Sequence, residues 1–158
     1  MQGCVSVSVN RVEIRIKRLS AAQDIPLPDY ETPGSSGMDL RAATEGTVSL
    51  KPGEIRLIPT GLSVSIPAGY EGQIRARSGL ALGHGIGIVN SPGTIDSDYR
   101  GEVGIIMINW GQRPFTIKRG DRIAQMVLTR VCRADIVEVV DLESTRRGEG
   151  GFGHSGVS

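Results

Sequence analysis

The sequence predicts an all-β domain of the sandwich or barrel type. Three observations carry that expectation. Apolar residues recur in many short runs with period two, no stretch keeps a 3.6-residue period across three turns, and Gly/Pro turns punctuate the runs. Glycine supplies 22 of the 158 residues, about twice its usual share of ~7%. Many backbone positions are therefore tight turns or close approaches.

Val12 to Lys17 (Val-Glu-Ile-Arg-Ile-Lys) alternates apolar and charged residues and reads as an amphipathic strand. Met1 to Asn10 reads as a short strand or a loose end. Residues 21–36 contain Pro26, Pro28 and Pro33 and read as an extended surface connection. Gly46 to Leu50 and Glu54 to Ile58 are strand candidates around the turn Lys51-Pro52-Gly53, and Gly61 to Ile66 is a further one. Pro67-Ala68-Gly69 turns the chain into a strand over Tyr70 to Arg75. Gly79 to Gly83 is too short for a free helix and fits one helical turn docked on the body. Ile86 to Val89 and Val103 to Ile108 read as the arms of a hairpin whose tip carries Asn90 to Gly101. Phe115 to Ile117, Ile123 to Leu128 and Ile136 to Val140 are further apolar pieces. From Leu142 the pattern dissolves into Ser, Thr, Arg and Gly. The expected organisation is one domain over 1–141 and a flexible polar arm over 142–158.

Length and charge narrow the function classes. One chain of this size makes one core. A formal net charge of +1 supplies no general field for nucleic acid. No segment approaches the ~20 apolar residues of a membrane span, and the N-terminus lacks a signal-peptide run. Glu13 and Asp24 interrupt any basic amphipathic transit pattern. Cys4 and Cys132 form neither a zinc spacing nor a disulfide framework, so a reducing cytoplasm is the expected compartment.

Several residues can carry chemistry. Asp96 and Asp98 share the hairpin tip, and two carboxylates there can bind a metal, activate water or cap turn amides. Asp39 precedes Leu40, a place where turn hydrogen bonding is the ordinary role. Arg77-Ser78-Gly79 offers a planar cation, a hydroxyl and exposed amides, a set suited to phosphate oxygens. The alternative is an Arg ion pair followed by a helix-capping Ser. Gln125 lies in a strand, where its amide needs a partner, either a neighbouring carbonyl or a ligand phosphate. Tyr99 and Phe152 are aromatics in polar, Gly-rich surroundings; each can fasten a loop or stack on a sugar or base. His84 and His154 are the only histidines, too few for a three-histidine metal centre, whereas a hard cation held by carboxylates, water and phosphates remains compatible.

The chain resembles the homotrimeric dUTPases through five ordered motifs beyond its first ten residues. They are Gly37-Met38-Asp39-Leu40-Arg41-Ala42, Arg77-Ser78-Gly79-Leu80-Ala81, the run from Val89 to Glu102, the run from Arg119 to Met126, and Arg147 to Gly156. The resemblance implies a distorted jelly-roll subunit with one short helix and a homotrimer with sites between subunits. It implies hydrolysis of dUTP to dUMP and pyrophosphate with Mg²⁺, which limits uracil incorporation into DNA and supplies dUMP for thymidylate synthesis. By motif position, Asp96 activates water. Asn90 and the hairpin backbone at Thr94 and Ile95 read uracil, and Tyr99 disfavours a 2′-hydroxyl. Arg77, Ser78, Gly79 and Gln125 contact phosphate, and Asp39 acts on the Mg²⁺ region through water. Arg147, Gly151, Phe152 and Ser155 belong to an arm that closes over nucleotide. Ala76 replaces the family's frequent Pro, and His154 replaces a small hydroxyl residue. Two alternatives on the same scaffold are a dCTP deaminase and a catalytically silent nucleotide sensor.

Overall fold

The computed structural model describes residues 11–151. Met1 to Asn10, Phe152, His154 and Ser155 lie outside the described residues. The elements in order are β1 (Arg15–Arg18), a 3-10 turn (Ser20–Ala22), β2 (Gly37–Arg41), β3 (Val48–Leu50), β4 (Ile55–Ser65), β5 (Tyr70–Arg75), α1 (Ser78–His84), β6 (Ile86–Ile88), β7 (Gly93–Ile95), β8 (Glu102–Asn109), β9 (Phe115–Ile117) and β10 (Arg122–Arg130). One four-stranded sheet has the order β1-β4-β8-β6, a second has β2-β10-β5-β7, and β3 pairs with β9. The strand pairings are antiparallel. This is the all-β, jelly-roll-like architecture with one short helix that the sequence led us to expect.

Alternation explains how the sheets close on each other. Val103, Ile105 and Met107 of β8 are buried while Gly104, Ile106 and Ile108 between them are only half-buried. The inward residues join Leu40, Ile58, Leu62, Ile74, Ile86, Ile123 and Met126 in one core drawn from both sheets. Burying each such side chain contributes roughly 1.5–3 kcal/mol. The buried Asn109 is compensated: its Nδ2 donates to Leu50 O (2.9 Å) and Arg113 O (2.8 Å), and its Oδ1 accepts the Gly111 amide (2.8 Å). The first sheet's other face stays apolar and uncovered in one chain. Ile55 lies opposite Ile108 and Leu57 opposite Ile106, and Trp110 lies across Gly87 of the neighbouring strand.

Four expectations need correction. Glu54–Ile58 and Gly61–Ile66 are not separate strands but one strand, β4. Pro59 faces Gly104 and Ser63 faces Glu102, so β4 bulges there. The bulge is satisfied internally: Thr60 Oγ1 donates to Val103 O (2.6 Å), and the Gly61 amide donates to Glu102 Oε1 (2.7 Å). Gly61 has φ +67°, and a Cβ there would collide with Ala22 Cβ, so glycine is required at this point. The expected hairpin tip is instead a crossing. β6 and β8 do pair, but β7, between them in sequence, leaves their sheet and pairs with β5. Ile136 to Val140 form no strand; Ile136 and Val140 are 94% and 99% exposed, so these side chains have no cover among the described residues. The connection over 21–36 is mostly irregular, as its prolines require, but it begins in the 3-10 turn, which buries Ala22 and Ile25 against Ala43.

That connection is held by an ion pair across a long sequence separation. Arg119 Nε donates to Asp24 Oδ2 (2.8 Å), and Arg119 Nη1 donates to Thr44 O (3.1 Å). The Arg119 hydrogen bond lowers the Asp24 carboxyl from 3.8 to about 2. A depressed folded-state pKa contributes stability above the unfolded value that disappears as pH falls through the folded one. We therefore predict that Asp24→Asn is less stable than the wild type at neutral pH. The difference should shrink between about pH 4 and pH 2, as followed by urea denaturation across that range.

Candidate active site

Strand register gathers the first group of polar side chains. Gln125 of β10 lies opposite Asp39 of β2 on one side and Arg75 of β5 on the other. Asp39 therefore sits within a strand, not in a turn as its sequence position suggested. Its side chain is 11% exposed and stands 3.2 Å from Arg77 Nε and 3.1 Å from Arg122 Nη1. Gln125 Nε2 donates to the same carboxylate at 3.3 Å. Gly37 leaves the space into which Gln125 packs. Arg77 Nη1 donates to Arg122 O (3.1 Å), and Arg122 Nη1 also reaches Glu31 Oε2 (3.0 Å). Arg77 Nε is buried and makes no aligned hydrogen bond despite its carboxylate neighbour.

The backbone then passes from β5 into α1. Arg77 is the N-cap, with extended φ −83° and ψ 127°, and its carbonyl accepts the amides of Leu80 and Ala81. Ser78 is the first helical residue, so the helix-capping role considered for it does not hold. Ser78 and Gly79 are exposed in the first turn, where amides have no intrahelical acceptor. This leaves a cation, a hydroxyl and amides available to one ligand.

The second group follows β7. Gly72, Gln73 and Ile74 of β5 pair with Ile95, Thr94 and Gly93. Asn90 packs over Gly93, where an added Cβ would approach its Nδ2 to 3.1 Å. Thr94 is exposed and Ile95 is half-buried against the core. Asp96 and Asp98 line a cleft of about 390 Å³ with Tyr70, Glu71, Val131 and Arg133. Neither carboxylate has a side-chain or amide partner among the described residues, so the turn-capping role is not what occupies them. Tyr99 donates its hydroxyl to Glu102 O at 3.0 Å, and its ring covers Gly101.

The two groups do not meet on one chain. Asp96 follows Ile95, which lies in the row of Gly72, whereas Asp39 and Gln125 lie in the row of Arg75. Three residues of strand separate these rows, about 10 Å at ~3.3 Å per residue. Arg77 and α1 continue beyond the Arg75 end, while Asp96 lies beyond the Gly72 end. Arg147 forms a local turn, donating from Nε to Gly150 O at 2.7 Å; Gly151 next to it is exposed. The cleft at Asp96 includes neither.

Among the described residues no group of three His, Cys, Asp or Glu side chains is placed to hold a metal. The Asp39 carboxylate already accepts hydrogen bonds from Arg122 and Gln125 and lies against the Arg77 guanidinium. The donor set therefore suits a hard cation only if phosphate and water oxygens supply most of the coordination, the usual habit of Mg²⁺. Arg122 lies within the motif run from Arg119 to Met126 but carried no role of its own there. Plain alternation puts Arg122 on the face opposite Gln125; the register shift between Arg122 and Ala124 is what lets it reach Asp39. Tyr70, Glu71 and Arg133 also line the cleft without any motif to announce them.

A family model described as dUTPase matches residues 23–156. A deoxyuridine 5′-triphosphate nucleotidohydrolase from Caldanaerobacter subterraneus subsp. tengcongensis is 55% identical over 146 residues, spanning 92% of this chain and 99% of that protein. A protein of the same name from an Anaeromyxobacter species is 56% identical over 146 residues, with 92% and 98% covered. Among solved structures, the Staphylococcus bacteriophage 80alpha dUTPase with dUPNHPP superposes with a TM-score of 0.83 at 30% identity, covering 92% of this chain and 99% of that one. A mutant dUTPase from phage phi11 of S. aureus, described with a structural Mg(II) ion, gives 0.74 at 26% identity, covering 84% and 99%.

Proposed function

Because the chain belongs to the dUTPase family, whose members here are deoxyuridine triphosphate nucleotidohydrolases, we propose a division of labour among its residues for the hydrolysis of dUTP to dUMP. The chain is a dUTP diphosphatase. The names of its relatives denote hydrolysis, not the deaminase alternative or a silent sensor. Asp96 accepts the proton of the attacking water, a role suited to an exposed carboxylate with no competing partner among the described residues. In-line attack at the α-phosphorus then leaves pyrophosphate. Arg77, Gln125 and the first turn of α1 at Ser78 and Gly79 bind phosphate oxygens and hold them in line. Mg²⁺ carried on the triphosphate offsets phosphate charge when bound, and Asp39 steadies that region through Arg77, Gln125 and ordered water. Asn90 and the backbone at Thr94 and Ile95 read the uracil edge. Tyr99 lies against the sugar face where a ribose hydroxyl would project.

The single observation that carries the shared-site reading is the separation of Asp96 from Arg77 along β5. A water-activating carboxylate must lie within one hydrogen bond or one water of the reacting centre. We assign the joining of the two groups to a second copy of the chain. Two apolar surfaces have the character of a self-association surface: the sheet face bearing Leu57 and Trp110, 64% and 66% exposed, and the Ile136–Val140 segment. We assign these to a homotrimer, with the arm over 142–158 bringing Arg147, Gly151, Phe152 and Ser155 onto the nucleotide. No helix among the described residues is long and apolar enough to cross a membrane. Cys132 is exposed and free, which suits a reducing cytoplasm.

Three results are expected. Asp96→Asn keeps dUTP binding but slows single-turnover hydrolysis by at least ~100-fold, as general-base losses do; near-normal turnover would remove Asp96 from this role. Deleting Arg146 to Ser158 leaves the oligomer intact in light scattering and cuts kcat/KM severely, because the phosphates stay wet and poorly aligned. A truncated enzyme with wild-type kcat/KM would make the arm dispensable. Finally, Asp96→Asn and Arg77→Ala chains, each inactive alone, regain activity when unfolded and refolded together. Mixtures that remain inactive while forming mixed oligomers would show that each site lies within one chain.

A further inference from the structure

We propose that Glu102 is a positioning residue for the discrimination of deoxyribose from ribose, acting through Tyr99. This rests on the reading of Tyr99 given above. Tyr99 is 43% exposed, so packing alone does not fix its ring. Its hydroxyl donates to the backbone oxygen of Glu102 at 3.0 Å, and its ring lies on Gly101, where any Cβ would collide with it. The place of the ring is therefore set by where the Glu102 carbonyl sits.

Glu102 is the first residue of β8 and pairs with Ser63 across the β4 bulge, after which regular pairing resumes at Pro59 and Gly104. At this end the ladder alone does not hold the strand. Two bonds across the bulge add to it: Thr60 Oγ1 donates to Val103 O (2.6 Å), and the Glu102 carboxylate accepts the Gly61 amide (2.7 Å). Gly61 is itself tightly fixed: its φ is +67°, a Cβ there would collide with Ala22 and crowd Ala43, and its carbonyl accepts the Leu19 amide at 2.8 Å. A continuous path thus runs from a rigid turn to the ring: Gly61 amide, Glu102 carboxylate, Glu102 carbonyl, Tyr99 hydroxyl. A ribose differs from a deoxyribose by one oxygen, so a modest displacement of the ring edge changes which sugar fits. The relay explains why an exposed glutamate at the mouth of β8 turns its carboxylate back onto a main-chain amide.

The full-length protein tests this with kcat/KM for dUTP and UTP, and Tm, measured for Glu102→Ala, Glu102→Gln, Tyr99→Phe and Tyr99→Ala. Glu102→Ala should narrow the dUTP/UTP ratio roughly fivefold, the effect of one lost hydrogen bond. Glu102→Gln retains an acceptor oxygen and should restore the ratio. Tyr99→Phe keeps the ring but removes its anchor, and should narrow the ratio without disturbing Gly61. A purely structural Glu102 would lower Tm and depress both substrates in proportion; an unchanged ratio in Glu102→Ala would overturn the proposal. Should Glu102→Ala not fold, an unchanged ratio in Tyr99→Phe would do so instead. Tyr99→Ala separates the two levels. If it narrows the ratio while Glu102→Ala and Tyr99→Phe do not, only the relay is lost; if it too leaves the ratio unchanged, the sugar-excluding role of Tyr99 falls as well.

Discussion

The pairing of β7 with β5 is the constraint on which the catalytic face depends. β6 belongs to one sheet, and three residues of β7 carry the chain to the edge of the other. The buried Gly93 makes that approach with Asn90 folded over it. Once Ile95 is docked on the core, Asp96 to Gly101 have no strand left to join and emerge as a loop with open carboxylates. The other edge of β5 is occupied by β10, and β10 by β2. One sheet therefore fixes the distance between the acid and the cationic cluster. Hydrogen-bond ladders cannot stretch without losing bonds, so conformational change within a chain is a poor way to bring these groups together.

The cationic cluster is organised by charge more than by shape. Asp39 and Glu31 face Arg77 and Arg122, so two carboxylates balance two guanidiniums and the assembly is close to neutral. A nearly buried carboxylate with a single cation would be left uncompensated if that cation turned to a ligand, at a cost of several kcal/mol. Arg122 removes this penalty: in the role proposed for Arg77, Arg122 stays with Asp39 while Arg77 engages phosphate. The buried Arg77 Nε without an aligned acceptor fits a side chain held ready for a partner of better geometry.

Much of this was legible in the residues. Period-two alternation located most strands, since a strand with one wet face must alternate. The glycine and proline turns marked their limits, and the site residues stood in motifs with their own spacing. What escaped had non-local causes. Pro59-Thr60 looked like a break between strands because the bulge that carries β4 through it depends on Val103 and Glu102, some forty residues away. β7 was hidden inside a hairpin because nothing in Gly-Thr-Ile reveals a partner in the opposite sheet. Ile136 to Val140 carries the composition of a strand but pairs with no strand among the described residues. Arg122 and Glu102 stand just outside the strand candidates of the sequence, and only the fold shows their partners: Asp39 and Glu31 for Arg122, the Gly61 amide for Glu102.

Two aromatic side chains occupy the space beside glycines where a Cβ would stand: Tyr99 at Gly101 and Trp110 at Gly87. Each pair is a lock with one solution. A side chain added at either glycine occupies the volume of the ring, and a smaller group in place of the ring uncovers a strip of bare backbone. Neither partner can be exchanged singly without harm, and the intermediate genotypes on any mutational path between alternative pairs carry the defect. These couples should therefore be inherited as units, so that neutral drift passes through the surrounding surface and leaves the two pairs behind.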